Sequence, residues 1–471
     1  MGQEIDRIQF TRADFEAFDA RLRAETDLLE RAWRDGRFGD PSFTAGCELE
    51  AWLIDHNHFP LPRNEAYLAR LNDPLVVPEL STFNVELNCT PVALRERAFR
   101  KMEEELAATW CRCVDVAHGM DGQLVMIGTL PTIRQRDLTL AHISRLNRYF
   151  ALNDQVVHAR GGRPINIDIR GREHLRLTHD DVMLEAGTTS FQVHLQCPPE
   201  DVTRYYNASI ILSAPLVALA ANSPYLFGHD LWDETRVPLF EQAVDVGEGA
   251  QARVTFGQGY LNTSPIEAFV HNLEAYPVLL PIVSDGQPHA FRHLRLHNGT
   301  VWRWNRLLIG FNDEDVPHLR IEQRVMPAGP SIIDMMTNAA LYIGASRVLA
   351  TLREAPEVDL PFAVARDNFY RAAREGLDAR VVWLDGREIE VQTLWLDELL
   401  PMANEGLQLL EIDDADRERY LDIAAARLRN RQNGAAWQRG WCAKHGRDWL
   451  RLSVAYLEQQ RIGSPVHEWP I

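Results

Sequence analysis

Four segments far apart in the chain obey one alternation, and it limits what the chain can fold into. In "GCELEAWLID" (46–55), Cys47, Leu49 and Ala51 fall on one side, and Glu48 and Glu50 on the other. In "STFNVELNC" (81–89), Phe83, Val85, Leu87 and Cys89 oppose Asn84, Glu86 and Asn88. In "TTSFQVHLQCP" (188–198), Phe191, Val193, Leu195 and Cys197 oppose Gln192, His194 and Gln196. In "PHLRIEQRVMP" (317–327), Leu319, Ile321 and Val325 oppose Arg320, Glu322 and Arg324, and Gln323 interrupts the apolar side. Strand side chains alternate between faces with period two, so these segments specify a sheet with one apolar and one polar face.

An isolated Glu-x-Glu on a strand is most simply a solvated face. The four polar rows, however, contain no lysine and are built from Glu, His, Asn, Gln and Arg. These are metal ligands and clamps for phosphate or carboxylate. Glu48 and Glu50 lie about 6.5–7 Å apart along their strand, and neighbouring strands sit about 5 Å away. Glu86, His194 and Glu322 can therefore meet them across a curved sheet. Carboxylates that close do not all ionise without countercharge, and an oxygen-rich set suits Mg²⁺ or Mn²⁺. Mg²⁺ takes only one or two carboxylates and fills its other positions with water and phosphate. The glutamates with Arg320 and Arg324 thus point to two or more cations holding a nucleotide triphosphate.

Each residue also has a plainer reading: His194 as a hydrogen-bonded core or rim histidine, Glu322 in a surface charge ladder, Asn84 and Asn88 as strand ends. The agreement of all four rows favours the floor of a site. The sequence has no Walker-type loop and no Gly-x-Gly-x-x-Gly after a strand, so the nucleotide is not held by a P-loop or a Rossmann turn.

The rest of the chain sets the surroundings. A net charge of -18 over 471 residues repels nucleic acid and anionic membranes, so the expected partners are small molecules. The six cysteines are scattered and read as free thiols of a reducing compartment. The longest apolar run, "IILSAPLVALAANSPYLFG" (210–228), is interrupted by polar residues and prolines and reads as a buried helix. With no leader pattern in "MGQEIDRIQF", the expectation is a cytoplasmic protein, with self-association left open.

Helices are expected over 11–36, where Thr11 and Asp14 form a capping box, over 92–118 and over 201–222. Strands are expected over 122–131, 164–171 and 173–184, and the connection 132–163 is long. The Asn-Gly pair in 285–311 reads as a turn between strand-like runs. After Ser331 the pattern turns helical. The layout is α+β, with a main body over 1–395 and a helical segment over 396–471 packed on it.

These motifs, in this order, resemble the bacterial and plant branch of the glutamate–cysteine ligases, within the carboxylate–amine ligases. "GCELEAWLID" resembles that family's Gly-x-Glu-x-Glu strand, and "PELSTFNVELNCTP" its second motif. "TSFQVHLQ" is similar to its third strand, "ALAANSPYLFG" to its Ala-Asn-Ser-Pro segment, and "HLRIEQRVMPAGPS" to its Arg-x-Glu-x-Arg strand. The resemblance implies a glutamine-synthetase-like curved antiparallel sheet flanked by helices. It also implies ATP- and Mg²⁺-dependent phosphorylation of the side-chain carboxylate of glutamate, followed by attack of the amine of cysteine, the first step of glutathione biosynthesis. By position it implies metal binding by Glu48, Glu50, Glu86, His194 and Glu322, with Gln192 joining them. Arg324 and Glu322 take catalytic roles, Arg324 at the transferred phosphate. Arg236, Arg148, Tyr149 and Arg320 are implied in substrate binding, although "DETRVPLF" departs from the family's approach to the arginine at 236. Other readings are the same activation with a different amine, a metal-dependent amide hydrolase, or a non-catalytic ligand-binding relative.

Overall fold

The computed structural model describes residues 4–247, 249 and 251–471, so the first three residues of the amino-terminal stretch lie outside the described residues. Its centre is an eight-stranded sheet. The strands are β1 (Thr44–Ile54), β2 (Val76–Pro78), β3 (Asn84–Asn88), β4 (Val92–Ala93), β5 (Gln123–Val125), β6 (Phe191–Gln196), β7 (Asn305–Phe311) and β8 (Pro317–Gln323). They run β7-β8-β6-β1-β3-β2, with β4 and β5 also pairing with β1, and every pairing is antiparallel.

Register decides which side chains share a face, because residues directly opposite each other in an antiparallel pair point the same way. Glu50 lies opposite Glu86, and Glu48 lies between Asn88 and Gln192. His194 lies between Gly46 and Glu322, and Glu322 faces Arg306 on β7. The four polar rows therefore form one continuous polar face. The opposite face carries Leu49, Val85, Leu87, Val193, Leu195 and Ile321, all buried. Each such side chain stabilises the fold by about 1.5–3 kcal/mol relative to exposure. Helices Val202–Ala220 and Ile332–Thr351 back this face and are themselves buried nearly all round.

The amino-terminal helix spans Arg12–Arg34 with its Thr11–Asp14 capping box formed and Gly36 (φ 68°) just past its end. Other expectations shift for tertiary reasons. The helix expected from 92 begins at Ala98, because Val92 and Ala93 pair with β1 and Glu96 (φ 53°) pairs through its backbone with Glu411 and Asp413. β5 stops at Val125, because the backbone of Met126 is bonded by the Gln460 side chain instead of a strand. Arg292–Gly299 is helical: the Glu25 carboxylate from the first helix accepts from Leu294 N–H at 2.9 Å, and Asn298-Gly299 ends a helix instead of turning a hairpin. The connection 132–163 contains a helix, Asn147–Ala159. Residues 165–170 and 174–179 form a separate hairpin.

All six cysteines are unpaired; five are buried and Cys111 is exposed. Among the described residues no helix is long and apolar enough to cross a membrane. Towards the carboxyl end the helical run Val391–Leu409 is continuous. Beyond it, helix Asp414–Arg429 docks through a buried pair, Arg427 to Asp334 at 2.7 Å.

Candidate active site

The polar face is not a wet surface. Glu86 is 1%, Glu322 2% and Gln192 2% exposed, and Glu48 and Glu50 are half-buried. Two groups of ligand-type atoms lie on it, each spanning no more than 4.8 Å: Glu48, His194 and Glu322 form one, Glu50, Glu79 and Glu86 the other. A cation with oxygen ligands at about 2.1 Å draws such a set together with small side-chain movements.

The first group joins three strands. His194 Nε2 lies 3.0 Å from Glu48 Oε1 and 3.9 Å from Glu322 Oε1. Despite that proximity Nε2 is buried without an aligned hydrogen-bond partner. A ring nitrogen and carboxylate oxygens that converge on one point fit a shared cation. Glu322 is also gripped from its other side: Arg306 donates to both of its oxygens at 2.8 and 2.9 Å, and Arg324 donates to Oε2 at 3.1 Å.

The second group adds a residue that the sequence reading left out. Glu79 follows directly after β2, inside the quoted "PELSTFNVEL" motif, and folds back towards Glu50 and Glu86. The Pro-Glu-Leu lead-in was the available signal, but a glutamate outside the alternating strand gave no face to assign. Asn88 donates to Glu86 at 2.9 Å, while Ser190 N–H and Gln192 Nε2 donate to Glu50 at 2.7 and 3.1 Å. Gln192 accepts from Arg324 at 2.6 Å, so it links the second group to the arginine beside the first. Gln192 thus reaches the site through hydrogen bonds. Glu185, in the turn Val182–Gly187, is a further carboxylate nearby, with no hydrogen bond or ion pair to its side chain among the described residues. It sits next to a segment read as a strand, and nothing in its sequence context marks it.

The other expected substrate residues flank the two groups. Arg148 and Tyr149 open the helix Asn147–Ala159, with Arg148 Nη2 donating to Tyr149 Oη at 3.1 Å and Tyr149 donating to the carbonyl of Pro78, next to Glu79. At the opposite end, Arg320 lies beside Gln196 and near Arg295 and His318. Neither Arg320 nor Arg295 meets a carboxylate among the described residues, and Arg320 Nε is buried without a partner. Arg295 is exposed and lies over the Phe311 ring, so it is Arg320, with its buried Nε unpartnered, that fits a polyanionic ligand. Arg236 lies 2% exposed behind Arg324; its Nε donates to Glu234 at 3.0 Å and its Nη2 to the carbonyls of Arg324 and Val325 at 3.1 and 2.7 Å.

The two groups titrate in opposite directions. Burial alone raises Glu48, but the His194 imidazole beside it outweighs burial and holds the carboxyl at about 2. Burial also opposes ionisation of Glu322, yet Arg306 and Arg324 hold it far below the ordinary carboxylate range. Burial, reinforced by Glu79, pushes Glu50 up to about 7 against the pull of Arg324. Burial followed by the charges of Glu48 and Glu79 pushes Glu86 well up, and burial raises Glu79. The second group therefore holds protons in the absence of a cation, and a cation must displace them.

Two predictions arise here. Glu79→Gln is expected to weaken Mn²⁺ binding by more than about tenfold in a calorimetric titration. Unchanged affinity would remove Glu79 from the ligand set. The second concerns pH. Glu50, Glu79 and Glu86 are raised above the ordinary value of 4.5, so the metal-free folded state binds more protons than the unfolded chain. Their contribution is fully present below 4.5; that of Glu50 is lost as pH rises through about 7, and those of Glu79 and Glu86 as pH rises through their own raised values. Glu48 has the opposite sign: its contribution is present above 4.5 and is lost as pH falls towards about 2. Thermal stabilisation by Mg²⁺ is therefore expected to grow from about pH 6 to about pH 8. A thermal shift independent of pH would contradict the protonated second group.

The model of glutamate-cysteine ligase family 2 matches residues 44–447, which include every residue of both groups. No curated protein matches the chain. Among solved structures, a glutamate–cysteine ligase of Francisella tularensis in complex with AMP shares the fold at a TM-score of 0.54 and 13% identity, covering 90% of each chain. A bifunctional glutathione synthetase from Pasteurella multocida shares it at a TM-score of 0.50 and 10% identity, covering 92% of this chain. The present chain spans only 55% of that longer protein. The curved antiparallel sheet flanked by helices is thus the glutamine-synthetase-like arrangement expected from the motifs. By its family match and by this fold, the chain belongs to glutamate–cysteine ligase family 2.

Proposed function

We propose that this chain is an ATP- and Mg²⁺-dependent carboxylate–amine ligase that joins the side-chain carboxylate of glutamate to the amine of cysteine. One observation carries the reading: two ligand groups share one buried sheet face, bridged by Arg324 and Gln192, with Arg320, which has no carboxylate partner among the described residues, at one end. Glu48, His194 and Glu322 would hold one cation and Glu50, Glu79 and Glu86 another. Bound there, divalent cations supply positive charge to the phosphates and to the transferring phosphoryl group.

The chain's own residues do the rest. Arg320 binds the polyphosphate, placing the nucleotide at the β7–β8 end. Arg324 meets the transferring phosphoryl between the two groups. Arg148 and Tyr149, over Glu79, orient the carboxylate substrate. A carboxylate oxygen attacks the terminal phosphorus, the bond to ADP breaks, and an acyl phosphate forms. The amine nitrogen then bonds to the acyl carbon, the carbon–oxygen bond breaks, phosphate leaves, and the amine's proton passes to solvent. No side-chain nucleophile is needed, in keeping with Cys47 and Cys89 lying in the core. The unpaired cysteines support a cytoplasmic setting.

The test is phosphate release from ATP and Mg²⁺ with glutamate and a panel of amines. The expected result is release that requires both glutamate and cysteine. Release with another amine alone reassigns the acceptor and keeps the activation chemistry. Cleavage of amides without ATP turnover overturns the ligase.

A further inference from the structure

The last helix, Trp449–Ile462, lies beyond residue 447, where the family match ends, yet one of its faces reaches the loops behind the site. Tyr456 and Gln460 are four residues apart and both buried. Gln460 Nε2 donates to the carbonyls of Met126 at 2.8 Å and Pro330 at 2.6 Å, and its Oε1 accepts from Met126 N–H at 3.0 Å. Tyr456 donates to the same Met126 carbonyl at 3.0 Å and accepts from Asn222 Nδ2 at 2.8 Å. Asn222 Nδ2 also donates to the carbonyl of Ala328 at 2.8 Å, and Asn222 Oδ1 accepts from Gln438 at 3.0 Å.

Two of these bonds reach residues 324–330, at Ala328 and Pro330, and three hold Met126 beside that segment, which follows β8 without regular secondary structure apart from isolated bridges. Such a segment takes its conformation from tertiary partners. Its near end is held by Arg236 through the carbonyls of Arg324 and Val325. Arg236 is fixed by Glu234, and Glu234 Oε2 accepts from the backbone N–H of Asn222 at 3.0 Å. The middle is held at Ala328 by Asn222, and the far end at Pro330 by Gln460. Gly329 (φ 77°) fits because a Cβ there would sit 2.4 Å from the Met126 carbonyl and 2.9 Å from Tyr456 Oη. Asn222 and Tyr456 are fully buried and Arg236 nearly so, leaving the network little room to relax.

We infer that Tyr456 and Gln460 are positioning residues that hold the 324–330 segment, and through it Arg324, in register with the two ligand groups. Asn222 is the shared node, and Arg236 acts as a strut. The inference rests on the ligase reading for its effect on rate, but its structural half does not. Misplacing a charged group by a fraction of an ångström lowers turnover more than it weakens binding.

Tyr456→Phe tests this. It keeps the ring against Trp437 and Trp469 while removing one acceptor from Asn222 and one donor to Met126. The expected result is faster amide exchange across 324–330 and a kcat lower by about tenfold, with the KM for ATP within about twofold of wild type. Tyr420→Phe, at a fully buried tyrosine whose hydroxyl donates to Glu103 at 2.7 Å, supplies a control that loses a tyrosine hydrogen bond outside this network. Unchanged exchange across 324–330 would overturn the inference, as would a kcat no lower than that of the control. If the wild type releases no phosphate, the ligase reading fails, and the exchange measurement alone decides whether the helix holds the segment.

Discussion

Glu322→Gln is expected to lower phosphate release by about 10²–10³-fold and stability by roughly 3–5 kcal/mol. Glutamine keeps the shape of the side chain and removes its charge. Glu322 is 2% exposed and takes three donor bonds from Arg306 and Arg324. Without its charge, two guanidinium groups stay on a buried face opposite a neutral amide. The same change takes one oxygen ligand from the group shared with Glu48 and His194. Urea unfolding, a Mn²⁺ titration and single-turnover phosphate release measure the three consequences separately. A glutamine variant with wild-type rate and wild-type Mn²⁺ affinity would refute the first ligand group outright.

Arg324→Lys separates chemistry from stability. The expected result is a kcat lower by about 10³-fold with a much smaller change in unfolding free energy. Lysine keeps the positive charge but loses the planar fork, and Arg324 uses Nη1 to reach both Gln192 and Glu322. Glu322 would keep its two-bond grip from Arg306, so its burial remains compensated. The variant should therefore fold, bind Mn²⁺ through both groups and fail at phosphoryl transfer. A lysine variant that turns over at the wild-type rate would remove Arg324 from contact with the transferring phosphoryl group. Together the two variants distinguish a charge that holds the site together from one that acts on the reaction.

The legible part of the site was whatever lay on a strand. Period-two alternation assigns Glu48, Glu50, Glu86, His194 and Glu322 to one face without knowledge of neighbours. The register then brought Glu50 opposite Glu86 and His194 beside Glu322. Glu79 and Glu185 were not legible, because residues in loops and short turns carry no periodicity. Arg236 was singled out by its place after the Ala-Asn-Ser-Pro segment, and its Nε and Nη2 bond Glu234 and two backbone carbonyls, which no local pattern shows. Helix starts and strand ends moved where a distant group took the backbone: Gln460 at Met126, Glu25 at Leu294, Glu411 at Glu96.

The sequence by itself determined a sheet with one apolar and one polar face, and the side chains that occupy each, because face assignment follows from local backbone geometry. Only the tertiary structure decided that the polar face is buried, that its carboxylates split into two groups of opposite titration, and that the last helix reaches the segment behind Arg324. Those outcomes depend on distances between residues tens to hundreds of positions apart, and no local pattern encodes a distance of that kind.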